Sequence, residues 1–217
     1  MRMIRFLTVL LLSFNLHALE FQPRGDTLYI WGDYVEDDYD AFLEIMELNY
    51  ISTVELGESE GGLISESFAI GRYIKENGIV TIIEDGVDCS SSCAMVWAAG
   101  KDRRIMGTGK AHFHAPYVPT DMVMEMIDTK CLEEFLEEDD TVDTCKAYTD
   151  EQVIDGVRWM TRDAIRKGVE YMIEVGAPNE WTIKMLDQDP ASFFTVTNKN
   201  MEVSKNAKLY KLSSTAR

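Results

Sequence analysis

Apolar positions along the chain change period in a regular order. "TLYIWG", Thr27 to Gly32, is a short β-type run closed by glycine, and in the following "DYVEDDYDAFLEIMELN" Phe42, Ile45, Met46 and Leu48 recur at helical spacing. "ISTVELG", Ile51 to Gly57, predicts a second strand and "SEGG" a turn. "LISESFAIGRYIKEN" then predicts a helix with Ile64, Phe68, Ile70 and Ile74 largely on one face. "GIVTIIE", Gly78 to Glu84, is a third and nearly all-apolar strand, the pattern of one buried on both faces. It leads into "DCSSSCAMVWAAG", Asp88 to Gly100, a hydroxyl-rich stretch that opens a small-residue apolar helix.

Beyond Gly100, "KDRRIMGTGKAHFHAP" predicts a short strand, a glycine turn and a strand ending at His114, stopped by Pro116 and Pro119. "DEQVIDGVRWMTRDAIRKGVEYMIEVG", Asp150 to Gly176, predicts a long helix carrying Val153, Val157, Met160 and Ile165, with Gly168 inside it. A shorter helix near Trp181 to Leu186 and a β-like run near Lys208 to Leu212 complete the pattern. Strands alternating with helices predict an α/β fold, a layered sheet with right-handed crossovers. The segment from about 118 to 150 departs from this order. "CLEEFLEEDDTVDTC" is dense in carboxylates and bracketed by Cys131 and Cys145, the composition of a solvated surface insertion stapled by a disulfide.

Composition narrows this picture. The 217 residues are 46% apolar, enough for one domain with a real core, expected over 19–217. With 38 acidic against 21 basic residues the formal net charge is −17, which repels a nucleic acid over most of the surface. The N-terminus places Arg2 and Arg5 before an apolar run from Phe6 to Phe14 and a small residue at Ala18. That is the layout of a signal peptide over 1–18, since a spanning helix needs ~20 apolar residues. Export to a periplasmic or secreted location follows, with membrane association if the leader is retained. Four cysteines suit an oxidising compartment and admit three pairings. Their spacings lack the close thiolate pair of a zinc site, and neither a metal nor a cofactor is expected.

Chemistry is expected at three places. Ser90, Ser91 and Ser92 stand where a buried strand hands over to a helix, whose free N–H groups favour a developing negative charge. Taken alone, serines there are N-cap and first-turn residues. "ESEGG", Glu58 to Gly62, is again a strand end before a helix, where paired glycines let the backbone approach a ligand. "HFHAP" puts two of the chain's three histidines, His112 and His114, on one side of a strand, where either can serve as a base.

In order and spacing, the run from Leu28 to Pro116 resembles the proteolytic subunit of Clp-type serine proteases and, more broadly, the Clp/crotonase superfamily. The resemblance implies a layered sheet built from repeated β-β-α and βαβ units with a C-terminal helical part. It also implies site roles. Ser59-Glu60-Gly61-Gly62 resembles the family's oxyanion turn. Ser91, 29 residues after Gly62, falls on the nucleophile, and His114 of His-Ala-Pro falls on the base. The oxyanion amides are then those of Gly62 and Ser92. The flanking cysteines resemble exported Clp-like proteins with a Cys-Ala-Ser-x-Cys motif. An i,i+4 pair at a helix start has Cα atoms roughly 6 Å apart, so a strained Cys89–Cys93 clamp is admitted beside a Cys131–Cys145 staple.

Three departures stand out. Glu60 replaces proline and sets a carboxylate beside the oxyanion turn, and Cys93 takes a position that is often glycine. The family's aspartate slot falls at Ser192, with Asp187 and Asp189 the nearest candidates for a third triad member. A serine–lysine pairing would instead draw on Lys101 or Lys110. The expected function is an exported serine peptidase acting on a peptide or unfolded protein through an acyl-enzyme on Ser91. The alternative is a catalytically inactive crotonase-like scaffold that binds a peptide or protein partner. Acyl-CoA chemistry is disfavoured by export, as is an ATPase partner. Family resemblance also implies a homo-oligomer, a ring or trimer.

Overall fold

The computed structural model describes residues 18–117, 150–188 and 192–201. The expected leader over 1–18 apart from Ala18, the insertion at about 118–150 apart from its last residue, and the run Lys208 to Leu212 lie outside them. In chain order the elements are β1 (Glu20–Arg24), β2 (Thr27–Trp31), α1 (Asp38–Leu48), β3 (Thr53–Leu56) and α2 (Ile64–Glu76). Then come β4 (Val80–Ile83), β5 (Asp88–Ser90), α3 (Ser92–Ala98), β6 (Arg103–Ile105) and β7 (Lys110–Phe113). The last are α4 (Asp150–Glu174), α5 (Asn179–Leu186) and β8 (Phe194–Thr197).

The architecture is mixed α/β with two sheets and a C-terminal helical part, the class the pattern predicts. One sheet has the order β1-β2-β3-β4-β6, with β1 antiparallel to β2 and the remaining neighbours parallel. The second has the order β5-β7-β8, parallel then antiparallel. The chain alternates between them. After β4 it drops into β5, returns through α3 to β6, and drops again into β7. Earlier units do the same with single bridges, Tyr34 to Gly62 and Ser59 to Cys89, in place of full strands. Each unit is therefore a long step in the first layer, a short step in the second, and a helix back.

Alternation in β2, β3 and β4 sends Leu28, Ile30, Val54, Leu56, Thr81 and Ile83 to one fully buried face. Phe42, Phe68, Ile70 and Ile74 from α1 and α2 belong to the same core. Two expectations are corrected. β4 is buried on that face alone, because Val80 and Ile82 are only half covered on the other side of the sheet. Leu48 is 83% exposed, because α1 ends there and its core face is Phe42 and Met46. β1 and β5 escaped the sequence reading. Each is short and mostly polar, and β1 contains a proline.

Except for Tyr34 Oη, which is buried with no hydrogen-bond partner, the buried side-chain polar groups among the described residues are matched. Thr81 Oγ1 donates to Trp97 O at 2.7 Å, Trp97 Nε1 to Arg104 O at 3.0 Å, and Tyr171 Oη to Met95 O at 2.9 Å. Tyr171 also stacks on Phe68 at 4.2 Å, which fixes α4 to α2, and Trp97 stacks on Trp181 of α5 at 5.4 Å. Gly168 has a packing reason. A methyl group there would lie 2.8 Å from Pro116 Cγ, so the helix can pass close to Pro116 only as glycine.

Asp38, buried at the start of α1, accepts the Val35 N–H at 2.6 Å. Burial pushes its carboxyl up to about 6, against the pull of that N–H and with Glu66 and Asp37 adding to the rise. Its folded-state value thus lies above the ordinary 3.8, so the stabilisation is complete below the unfolded value and is lost as pH rises through the folded one. Asp38→Asn keeps an oxygen for the Val35 N–H and removes the titration. Its melting temperature should exceed that of the native protein at about pH 7.5 but match it near pH 4, and an equal offset at both values would contradict the assignment.

Candidate active site

The second layer gathers the three sequence segments. Tyr34 bonds the glycine turn on both sides, its N–H donating to Gly61 O at 2.7 Å and its carbonyl accepting from Leu63 N at 2.8 Å. On the other flank, Ser90 N donates to Ser59 O at 2.9 Å, and Ser91 N donates to His112 O at 2.8 Å. Glycine turn, serine turn and the end of β7 are thereby stitched side by side by main-chain hydrogen bonds.

Ser91 is the residue on which this geometry bears hardest. It occupies the N-cap position of α3, yet its φ of 52° and ψ of −116° lie in a region that L side chains avoid. A capping serine has extended dihedrals and gives its oxygen to the first turn. Ser91 makes no such cap bond, and among the described residues its hydroxyl has no hydrogen-bond partner. Conformations of this kind cost about 1–3 kcal/mol and persist only where the surroundings over-determine them.

Three contacts do so here. The first is a disulfide between Cys89 on β5 and Cys93 on α3, with Cα atoms 5.2 Å apart and both side chains buried, so that Ser91 sits midway along the closed loop. The second is the buried Ser92, whose hydroxyl donates to Gly62 O at 2.8 Å. The third is Gly61, with φ of +118°, where a methyl group would stand 2.6 Å from Ser91 Cβ and 3.1 Å from both Ser91 Oγ and Ser92 N. Gly61, flagged in the sequence only as half of a glycine pair, thus faces the Ser91 side chain directly. Gly62, with φ of +120°, lies against the Tyr34 backbone, and its N–H has no acceptor among the described residues. Ser92 occupies the first position of α3, where an amide has no intrahelical acceptor.

His112 lies on β7 and His114 one residue past its end, and their bonding separates them. His112 Nε2 lies 3.4 Å from Asp88 Oδ1 and its Nδ1 2.9 Å from Thr195 Oγ1, so both nitrogens are engaged. Asp88 also holds Lys110 Nζ at 2.8 Å, and these two partners keep its carboxyl below the usual carboxylate range. His114 Nδ1 lies 2.8 Å from Ala115 O. A carbonyl only accepts, so Nδ1 carries the proton of the neutral ring and Nε2 is left as a lone pair with no partner among the described residues. No hydrogen bond joins Ser91 Oγ to His114.

Among the carboxylates proposed for a third role, Asp187 is an exposed residue at the C-terminal cap of α5, and no hydrogen bond links it to His114. Asp189 lies outside the described residues, as do Cys131 and Cys145. Ser192 Oγ is 3.5 Å from Gln188 Oε1. Glu60 is exposed, and its main-chain N–H is held by Asp33 Oδ1 at 2.9 Å. Lys110 is committed to Asp88, and Lys101 lies by Gly78, at the opposite end of β4 from Ser91. Among the described residues there is no cluster of three metal-ligating side chains, and no helix long and apolar enough to cross a membrane.

No family model and no curated protein sequence matches the chain. Among solved structures it is similar to a mutant of a membrane-bound stomatin-specific protease, with a TM-score of 0.34 and 14% identity. The match covers 51% of this chain and 63% of that one, so the chain spans less than two thirds of that protein.

Two stability measurements check the account of the turn. Gly61→Ala should lower the unfolding free energy by about 1–3 kcal/mol more than Gly25→Ala, since Gly25 shares the positive φ but has nothing within 4 Å of its added methyl. Equal costs by urea denaturation would show that contact with Ser91 is not what Gly61 provides. Replacing Cys89 and Cys93 together by alanine should cost about 2 kcal/mol, as expected for a very short closed loop.

Proposed function

We propose that the protein is an exported serine hydrolase of the peptidase type, acting through an acyl-enzyme on Ser91 with His114 as general base. The observation that carries this reading is the strained Ser91 at a strand-to-helix turn, with its hydroxyl withheld from capping. Strain of this kind is characteristic of nucleophile turns, which lift the side chain out of the backbone toward a substrate. The motif resemblance supports the same pair of residues, and a disulfide is compatible with an oxidising compartment.

In this mechanism the Ser91 hydroxyl proton passes to His114 Nε2 while Oγ bonds to the carbonyl carbon of a peptide. The carbonyl oxygen takes up the electron pair and faces the N–H groups of Gly62 and Ser92, donors already fixed before the substrate arrives. The intermediate then expels its amine, which leaves with the proton from Nε2. Water, deprotonated by the same nitrogen, attacks the acyl carbon and releases the acid, and Ser91 recovers its proton. Peptides and unfolded segments are the substrate class.

A second reading, a scaffold that binds a peptide without cutting it, is favoured by the missing hydrogen bond between Ser91 and His114. One experiment separates the two. A fluorophosphonate probe should label the purified protein at Ser91, and Ser91→Ala should abolish the labelling. His114→Ala should slow it about 100-fold or more. Labelling that survives Ser91→Ala rules out the assignment. A folded protein that resists the probe but binds peptides is the scaffold.

A further inference from the structure

The reaction needs something to hold the imidazole in the right tautomer, a task that serine hydrolases give to a carboxylate. Around His114 the described residues offer none. They offer instead the Ala115 carbonyl on Nδ1 at 2.8 Å, the Phe193 ring packed edge to face at 5.4 Å, and the Tyr117 ring at 5.6 Å. Phe193 also lies 5.5 Å from His112, so one ring spans both histidines, yet it is 46% exposed. A large apolar side chain held at the surface against two imidazoles is not explained by burial alone.

The Ala115 carbonyl belongs to the peptide unit that precedes Pro116, and Pro116 is buried against Gly168 of α4. Proline has no N–H to compete for a partner, and its ring narrows the conformations open to Ala115. The acceptor is thus aimed by packing at some distance from the chemistry. Phe193 stands one residue before β8, and β8 is hydrogen-bonded to β7, so the sheet itself sets the approach of this ring to His114.

We propose that the Ala115 carbonyl, aimed by the Pro116–Gly168 contact, and the Phe193 ring together replace the orienting carboxylate of His114, with Phe193 acting as a positioning residue. This inference rests on the reading of Ser91 and His114 as nucleophile and base. The carbonyl fixes the proton on Nδ1 and frees Nε2. The Phe193 ring, packed at 5.4 Å, restricts rotation of the imidazole away from the Ala115 carbonyl.

Nitrogen-15 imidazole spectra of the full chain test this apart from activity. In the native protein and in Ser91→Ala, neutral His114 should show the Nδ1–H tautomer. In Phe193→Ala the population should shift toward Nε2–H, the form that an unconstrained histidine side chain prefers. Fluorophosphonate labelling should slow roughly tenfold in Phe193→Ala and recover in large part in Phe193→Tyr, which keeps the ring. A His114 already in the Nε2–H form in the native chain would overturn the inference, as would a carboxylate variant, Asp187→Asn or Asp189→Asn, that abolishes the Nδ1–H signature. A protein that shows the tautomer but takes no probe keeps the inference about the ring and removes the hydrolase reading.

Discussion

The backbone of Ser91 is forced into a conformation that serine does not choose, and much of the second layer is arranged to keep it there. The main-chain bond from Ser91 N to His112 O anchors one side of the turn, and the Cys89–Cys93 bridge closes the strand against the helix. The Gly61 backbone, bare of a side chain, fills the space in front. Each restraint is modest by itself. Together they fix a local strain of about 1–3 kcal/mol that the rest of the domain must outweigh. The hydrophobic cluster of β2, β3, β4 and the helices does so at a distance, by fixing where the strands end.

The layered topology explains why such different segments meet. Each β-β-α unit steps from the first sheet to the second, so the second layer collects the C-terminal ends of successive strands, where α/β proteins usually hold ligands. Residues 59–62, 88–91 and 112–114 come from three such steps. Their contact is a product of the repeat, and the helices between them supply the amide ends and the packing.

Much of this was legible in the residues. Period 2 and period 3.6 runs located β2, β3, α1, α2 and the long α4, while Ser91 was set apart from Ser90 and Ser92 as the nucleophile only by the family resemblance. What escaped was short or governed by contact. "DCS" carries too few residues for a period to show, though it forms β5 and half of the serine turn. β8, "FTVT", places only Val196 in full burial, so its alternation is faint. Period 2 puts His112 and His114 on the same face, and only their partners, Asp88 and Thr195 for one and Ala115 for the other, tell them apart. Gly168 stood in the sequence only as a glycine inside a predicted helix. Its reason, the ring of Pro116, lies on another element and leaves no local trace.

The double attachment of the glycine turn to Tyr34 has a thermodynamic consequence. With the Tyr34 N–H and carbonyl both committed to Gly61 and Leu63, the segment behaves as strand and not as loop, and its entropy is already spent when the chain folds. A ligand that docks against Gly62 meets ordered backbone, so its association carries no loop-ordering penalty. What such a ligand gains there is set by how well its acceptor fits a single bare N–H.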